Sequence, residues 1–236
     1  MTDDAQAPPG SGRLPGSATL KFFYGPMDCG KSTLALQIDH NHTRKGRHGL
    51  VFTRDDRAGQ SKIATRIGLV RAAVECHDDT DLRRVVGDQW AAGARVDYLI
   101  CDEAQFYTAD QVEQMADLVD GAGIDVYAFG LATDFRTELF PASRRLFELA
   151  DEVVRLQVEV LCWCGRQGQL NARVVNGAVA REGQQVLIGD TCGLTAAQAA
   201  PTPASGDVRY QVLCRHHHRS GDLGPTATAA GQLLLV

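Results

Sequence analysis

Between residues 18 and 156 short apolar runs take turns with segments whose apolar residues return every three or four positions. The runs predict strands at Thr19–Tyr24, Gly49–Thr53, Val96–Cys101 and Asp125–Gly130. The three-to-four spacing predicts helices at Lys31–Lys45, Thr80–Ala92, Ala109–Gly121 and Pro141–Ala150, with Pro141 tolerated in a first turn. Strands that alternate with helices imply an α/β domain: a mainly parallel sheet with helices on both faces, and ligands at the carboxyl ends of its strands.

The pattern breaks twice. Residues 1–17 are rich in Pro, Gly and Ser and carry no apolar period, so they are expected to form a disordered N-terminal arm. After Leu156 the regular alternation stops, which sets a nucleotide-type α/β domain at 18–156 apart from a smaller domain at 157–218 and a tail at 219–236. The tail ends in the apolar run Leu233-Leu234-Leu235-Val236.

Composition narrows the function classes. With 236 residues and 44% hydrophobic content the chain can bury a proper core. Its net charge of −5 speaks against a nucleic-acid footprint, which needs a clustered basic surface. Without a membrane-length apolar run or a signal-like start, a cytoplasmic protein with no membrane partner is expected. Seven scattered cysteines then point to metal ligation or burial rather than to a disulfide framework.

The chemistry begins at the end of the first predicted strand. Gly25-Pro26-Met27-Asp28-Cys29-Gly30-Lys31-Ser32-Thr33 fits the phosphate-loop pattern G-x-x-x-x-G-K-[ST]. Such a loop turns backbone N–H groups around an ATP polyphosphate, Lys31 reaches the β- and γ-phosphates, and the Ser32 hydroxyl joins the Mg²⁺ shell. The strand ending at Cys101 runs into Asp102-Glu103-Ala104-Gln105-Phe106. A carboxylate there holds Mg²⁺, and Glu103, one residue on, is placed to take a proton from whatever attacks the γ-phosphate. Asp55 and Arg57 follow the second strand, where a carboxylate can add to the metal site and an arginine can stabilise transferring charge. In the smaller domain, Cys162-Trp163-Cys164 and Cys214-Arg215-His216-His217-His218 are two ligand knuckles suited to structural Zn²⁺, with His216, His217 and His218 competing for the fourth place. A metal clip would let about sixty residues fold on too little core.

Taken together these motifs resemble the thymidine kinases of the tetrameric, zinc-containing type, over residues 19–218. Asp55-Asp56-Arg57 is similar to that family's D-x-R element, Asp102–Phe106 to its D-E-x-Q-F element, and Gly130-Leu131-Ala132-Thr133-Asp134-Phe135-Arg136 to its G-L-D-x-D-F-R stretch. The resemblance implies a P-loop (RecA-like) fold with a zinc-ribbon lasso closing over the nucleoside, and a homotetramer. It makes Glu103 the base acting on the thymidine 5′-hydroxyl, and it spreads ATP contacts over residues 25–33 and 102–105, including Ala104 and Gln105. Met27, Phe106, Leu131, Phe135 and Phe140 would line the pyrimidine pocket. Main-chain groups of Gln185, Val186, Leu187, Ile188 and Gly189 would read the base edge, and Tyr210 would touch the nucleoside. Cys162, Cys164, Cys214 and His217 would hold zinc.

The chain departs from the family pattern at Asp28-Cys29, Ala132, Arg66-Ile67-Gly68 and a long Thr/Ala/Pro-rich stretch within Asp190–Arg209 that contains Cys192. Asp28 beside an anion site must point outward or be neutralised. Two other functions compete: a regulatory NTPase in which Glu103 activates water, and a zinc module whose Arg215–Arg219 patch binds nucleic acid or a protein partner.

Overall fold

The computed structural model describes residues 18–54, 62–64, 70–185, 190–191 and 208–225. The N-terminal arm, Asp55–Arg57, Arg66–Gly68, Val186–Gly189, Cys192 and the apolar tail run lie outside them. In chain order the elements are β1 (Leu20–Tyr24), α1 (Lys31–Thr43), β2 (Gly49–Thr53), β3 (Lys62–Ala64), β4 (Val70–Ala72), β5 (Val74–Glu75), α2 (Leu82–Ala91), β6 (Tyr98–Cys101), a 3₁₀ turn (Ala104–Phe106), α3 (Ala109–Ala122), β7 (Asp125–Gly130), α4 (Pro141–Leu149), β8 (Glu152–Arg155), β9 (Leu170–Val175), β10 (Ala178–Val179), β11 (Asp190–Thr191), β12 (Val208–Leu213) and α5 (Arg215–Ser220). Two compact units emerge: one from the chain up to Gly25 with Gly30–Ala132 and Phe140–Leu156, the other from Pro26–Cys29, Thr133–Leu139 and the chain from Gln157 onward.

The first unit is built on a six-stranded sheet in the order β5-β2-β6-β7-β1-β8. Every pairing in it is parallel. Its central strands β6 and β7 are buried at every position because both faces are covered, and the two-residue pleat divides their side chains between the two faces. Leu99 and Cys101 of β6 with Val126 and Ala128 of β7 face a core closed by Val86 of α2, Met115 of α3 and Leu146 of α4, which also encloses Cys76. Tyr98 and Ile100 with Tyr127 and Phe129 face the other way, against Ala35 and Leu36 of α1. Phe23 stacks on Phe129 at 4.9 Å between ring centres. Each fully buried aromatic or branched side chain of this kind contributes roughly 2 kcal/mol.

Local signals fix the helix ends. Thr108 and Gln111 form a reciprocal capping box at the start of α3, and Asp81 accepts from the Arg83 and Arg84 N–H groups at the start of α2. Because all six strands are parallel, the loops after β1 and β6 open at one edge, separated only by β7.

The second unit has a four-stranded sheet in the order β10-β9-β12-β11, antiparallel except where β11 runs parallel to β12, and a small core. Strands β9 and β12 pair over six positions, from Val208 opposite Val175 to Leu213 opposite Leu170. Ala172, Val174, Leu213 and Leu223 pack with Cys162 and Cys214. So few apolar side chains supply little stability by themselves.

Candidate active site and metal centre

The phosphate loop has the backbone its sequence requires. Gly30, at φ 78°, sits in the left-handed region that suits glycine and delivers the chain into α1. No side chain caps that helix start among the described residues, and its first turn holds no acidic residue. The positive helix end therefore stays available to an anion. Lys31 is buried, with Nζ 3.5 Å from the Gly25 carbonyl oxygen. Asp28 is exposed and left-handed at φ 64°, a conformation Asp tolerates better than most residues.

Across β7 the acidic pair meets the helix start. The Ser32 hydroxyl donates to Asp102 Oδ2 at 2.8 Å. Burial, followed by the neighbouring Glu103 charge, pushes the Asp102 carboxyl up to about 6, although the Ser32 hydroxyl, the Glu103 N–H and Lys31 all pull it down. Glu103 is itself left-handed at φ 51°, where a non-glycine residue is strained. Gln105 ties that strained residue to the sheet: its Nε2 donates to Glu103 Oε2 at 2.6 Å, while its Oε1 accepts from the Leu131 N–H at 2.9 Å. Gly130, the last residue of β7, leaves room for this bridge, since a Cβ there would lie 2.8 Å from Gln105 Oε1 and 3.0 Å from the Gln105 backbone nitrogen. Phe106 and Phe140 meet edge to face at 5.7 Å, and the Ser143 hydroxyl donates to the Leu131 carbonyl.

In the second unit one donor atom from each of Cys162, Cys164, Cys214 and His217 lies within 4.8 Å of the others. His217 presents Nδ1, 3.4 Å from Cys162 Sγ and 3.6 Å from Cys214 Sγ. Those separations match the edge of a tetrahedron around a metal with bonds of about 2.0–2.3 Å. The geometry also separates the three histidines. Trp163 stacks on the His217 ring at 4.3 Å, whereas His218 is buried and turns Nε2 to the Phe135 carbonyl at 3.0 Å.

The same unit holds a second polar group. Asp134 accepts from the N–H groups of Arg136 and Glu138 and from the Arg136 guanidinium, which shapes residues 133–139 into a tight turn. The Met27 N–H donates to Asn171 Oδ1 at 2.8 Å. Arg173, Phe135, Tyr210 and Gln185 gather around one another. The sequence reading singles out neither Asn171 nor Arg173, places Asp134 only within a motif, and takes His218 only as a competing zinc ligand. A usable signal existed: Asn171 and Arg173 are two polar residues at strand spacing in Leu170–Val175, and both are buried.

Among the described candidates, the structure brings Ser32, Asp102, Glu103 and Gln105 together, and separately Cys162, Cys164, Cys214 and His217. Asp55, Arg57 and Val186–Gly189 are outside the described residues.

A family model described as thymidine kinase matches residues 18–218. The thymidine kinase of Streptomyces coelicolor is 54% identical over 211 residues, 89% of this chain and 93% of that protein. That of Streptomyces avermitilis is 52% identical over 211 residues with the same coverage. That of Cutibacterium acnes is 50% identical over 212 residues, 90% of this chain and 93% of that protein.

Proposed function

Since the chain belongs to the thymidine kinase family, and is thus an ATP-dependent kinase that moves the γ-phosphate of ATP to the 5′-hydroxyl of thymidine, we propose that Glu103 is the base of that transfer. The support is the Ser32–Asp102–Glu103 array at one sheet edge, with Glu103 held in a strained conformation by Gln105.

In this reading the loop amides of residues 25–33 and Lys31 hold the ATP phosphates, with Asp102–Gln105 beside them. Ser32, Asp102 and Asp55 would hold Mg²⁺, which supplies neutralising charge on the phosphate oxygens. Glu103 accepts the proton of the 5′-hydroxyl as its oxygen forms the bond to the γ-phosphorus. The bond to the bridging oxygen breaks and ADP leaves, while Lys31 and Arg57 stabilise the spread charge. Met27, Phe106, Leu131, Phe135 and Phe140 grip the flat base, Gln185–Gly189 read its polar edge, and Tyr210 contacts the nucleoside.

Three thiolates and an imidazole suit tetrahedral Zn²⁺, so Cys162, Cys164, Cys214 and His217 would hold a structural ion that fixes the small second unit. A cytoplasmic homotetramer completes the proposal. Among the described residues no helix is long and apolar enough to cross a membrane.

The test is ADP release, coupled to an indicator reaction, across a nucleoside panel with parent and Glu103→Gln enzyme. Thymidine-dependent release by the parent, reduced about a hundredfold or more in the variant with ATP binding retained, is the expected result. Turnover that survives the substitution, or ADP release indifferent to nucleoside, overturns the assignment.

A further inference from the structure

The bulkiest fully buried side chain among the described residues is a cation. Arg173, in the middle of β9, is 1% exposed. Among the described residues no carboxylate lies within ion-pair reach of it. Its guanidinium is instead satisfied by neutral groups on three separate pieces of chain. Nε donates to the Tyr210 hydroxyl at 3.0 Å, Nη1 to the Gln184 carbonyl at 2.6 Å and Nη2 to the Gln185 carbonyl at 2.9 Å. Its plane lies over the Phe135 ring, with the guanidinium carbon 3.8 Å from the ring centre.

This is a costly way to place a charge. A buried guanidinium without a counter-ion carries a desolvation penalty that only several well-aimed dipoles and a π face offset. A core position needing nothing but volume is filled more stably by Leu or Met. What the arginine does that an aliphatic side chain does not is fix several groups at once, because its fork is planar and rigid. The groups it fixes are the face of Phe135, the hydroxyl of Tyr210 and the main chain at Gln184–Gln185. Neighbouring contacts reinforce two of these: His218 Nε2 holds the Phe135 carbonyl, and the Gln185 side chain reaches Asp134 Oδ2 at 3.3 Å.

We propose that Arg173 is a positioning residue for nucleoside recognition, which pre-sets Phe135, Tyr210 and the Gln185 main chain in their binding arrangement before thymidine arrives. The inference rests on the reading of those three residues as nucleoside contacts. Arg173 acts on substrate through them and touches no reacting atom. With its carbonyl accepting from Arg173 and its amide reaching Asp134, Gln185 is the anchor of this group.

The consequence is a selective kinetic defect. Losing preorganisation raises the cost of ordering the site for one substrate, so it appears in the KM for thymidine and leaves the ATP side alone. The experiment is steady-state kinetics in both substrates on Arg173→Met and Arg173→Lys, with zinc content and thermal unfolding on the same preparations, and Phe135→Ala as the control for the underlying site. The expected result for Arg173→Met is a thymidine KM raised about tenfold to a hundredfold, the loss of several charge-assisted hydrogen bonds, with kcat within about threefold and the ATP KM unchanged. Arg173→Lys, which keeps the charge but not the fork, should recover only part of the loss.

A folded, zinc-loaded Arg173→Met enzyme with parental thymidine KM overturns the proposal. So does a parallel fall in kcat and in both KM-defined affinities, or failure of both Arg173 variants to fold, since each marks a purely structural arginine. Should Phe135→Ala leave thymidine KM untouched, the site reading itself falls; should that control respond while both Arg173 variants do not, only the positioning role falls.

Discussion

Replacing Gly130 with alanine tests the link between the sheet and Glu103 without touching either carboxylate. The new methyl carbon would stand 2.8 Å from Gln105 Oε1, 3.0 Å from the Gln105 nitrogen and 3.3 Å from the Ala104 nitrogen. An ordinary contact needs about 3.5 Å, so the 3₁₀ turn must retreat by about half an ångström. The side-chain oxygen can move only by giving up the Leu131 N–H at 2.9 Å, and the backbone nitrogens cannot rotate away. Overpacking of this kind costs about 1–3 kcal/mol, and unfolding by calorimetry should show a Tm lower by roughly 2–10 °C for a chain of this size. The larger effect is on chemistry. Gln105 carries its displacement straight to Glu103 Oε2 along a 2.6 Å hydrogen bond, and a base moved by a fraction of an ångström to an ångström loses about tenfold to a hundredfold in kcat. ADP release at saturating ATP and thymidine measures this, and ATP binding should change less than about twofold. Gly121→Ala in α3, where nothing lies within 4 Å of the added carbon, is the matched control and should leave activity unaltered. If Gly130→Ala lowers Tm but keeps parental kcat, the Gln105 bridge has no part in placing the base.

Other consequences follow from the same geometry. Cys164→Ser should leave less than one equivalent of zinc per chain by plasma emission and lower the Tm by several degrees, because the second unit has few other contacts to replace the metal; full zinc retention would exclude Cys164 as a ligand. Mg·ATP affinity should rise with pH through about 6, where buried Asp102 loses its proton, and flatten above it. A calorimetric titration flat from pH 5 to pH 8 would refute this. Because the folded-state value lies above the ordinary carboxylate range, the folded protein holds that proton more tightly than the unfolded chain. Stability of the ligand-free enzyme is therefore highest below about 4 as far as this group is concerned and falls as pH rises toward about 6, a dependence that Asp102→Asn should abolish. Arg47→Leu strips the guanidinium from Asp125, whose side chain is 1% exposed and pairs at 2.7 Å. The loss should be about 3 kcal/mol in denaturant unfolding, and a change below about 1 kcal/mol would show that the carboxylate's other partners, the Thr19 N–H among them, suffice.

The parallel sheet was legible because its strands are buried on both faces and so announce themselves as unbroken apolar runs: Gly49–Thr53 and Asp125–Gly130 match the predicted bounds residue for residue. The expected Val96–Cys101 starts two residues before β6, although the Asp97 N–H donates to the His48 carbonyl and its carbonyl accepts from the Asp125 N–H, so the backbone pairing tapers rather than stops at Tyr98. The edge strand β8 escaped notice because Glu152, Val153 and Arg155 are exposed, leaving no alternation to detect. The short strands β3, β4 and β5 carry two or three residues each, below the length at which a period exists. The grouping of candidate site residues was legible where spacing along the chain equals proximity in space, as in the phosphate loop and the Asp102-Glu103 pair. It was illegible where distant segments converge: nothing in the local sequence tells that Arg173 finds Phe135 and Tyr210. The residues alone leave His216, His217 and His218 open, the family resemblance singles out His217, and it is the His217 imidazole that lies among the three thiols.

Two thiols in the first unit's core bear on how this enzyme can be probed chemically. Burial pushes Cys76 up to about 11 and Cys101 higher still. At neutral pH fewer than about one in ten thousand molecules would carry a Cys76 thiolate, so iodoacetamide and maleimides pass both residues by. Among the described core thiols these two stay silent, and stripping metal with a chelator should unmask fresh alkylation at Cys162, Cys164 and Cys214 instead, turning a simple labelling count into a gauge of metal occupancy.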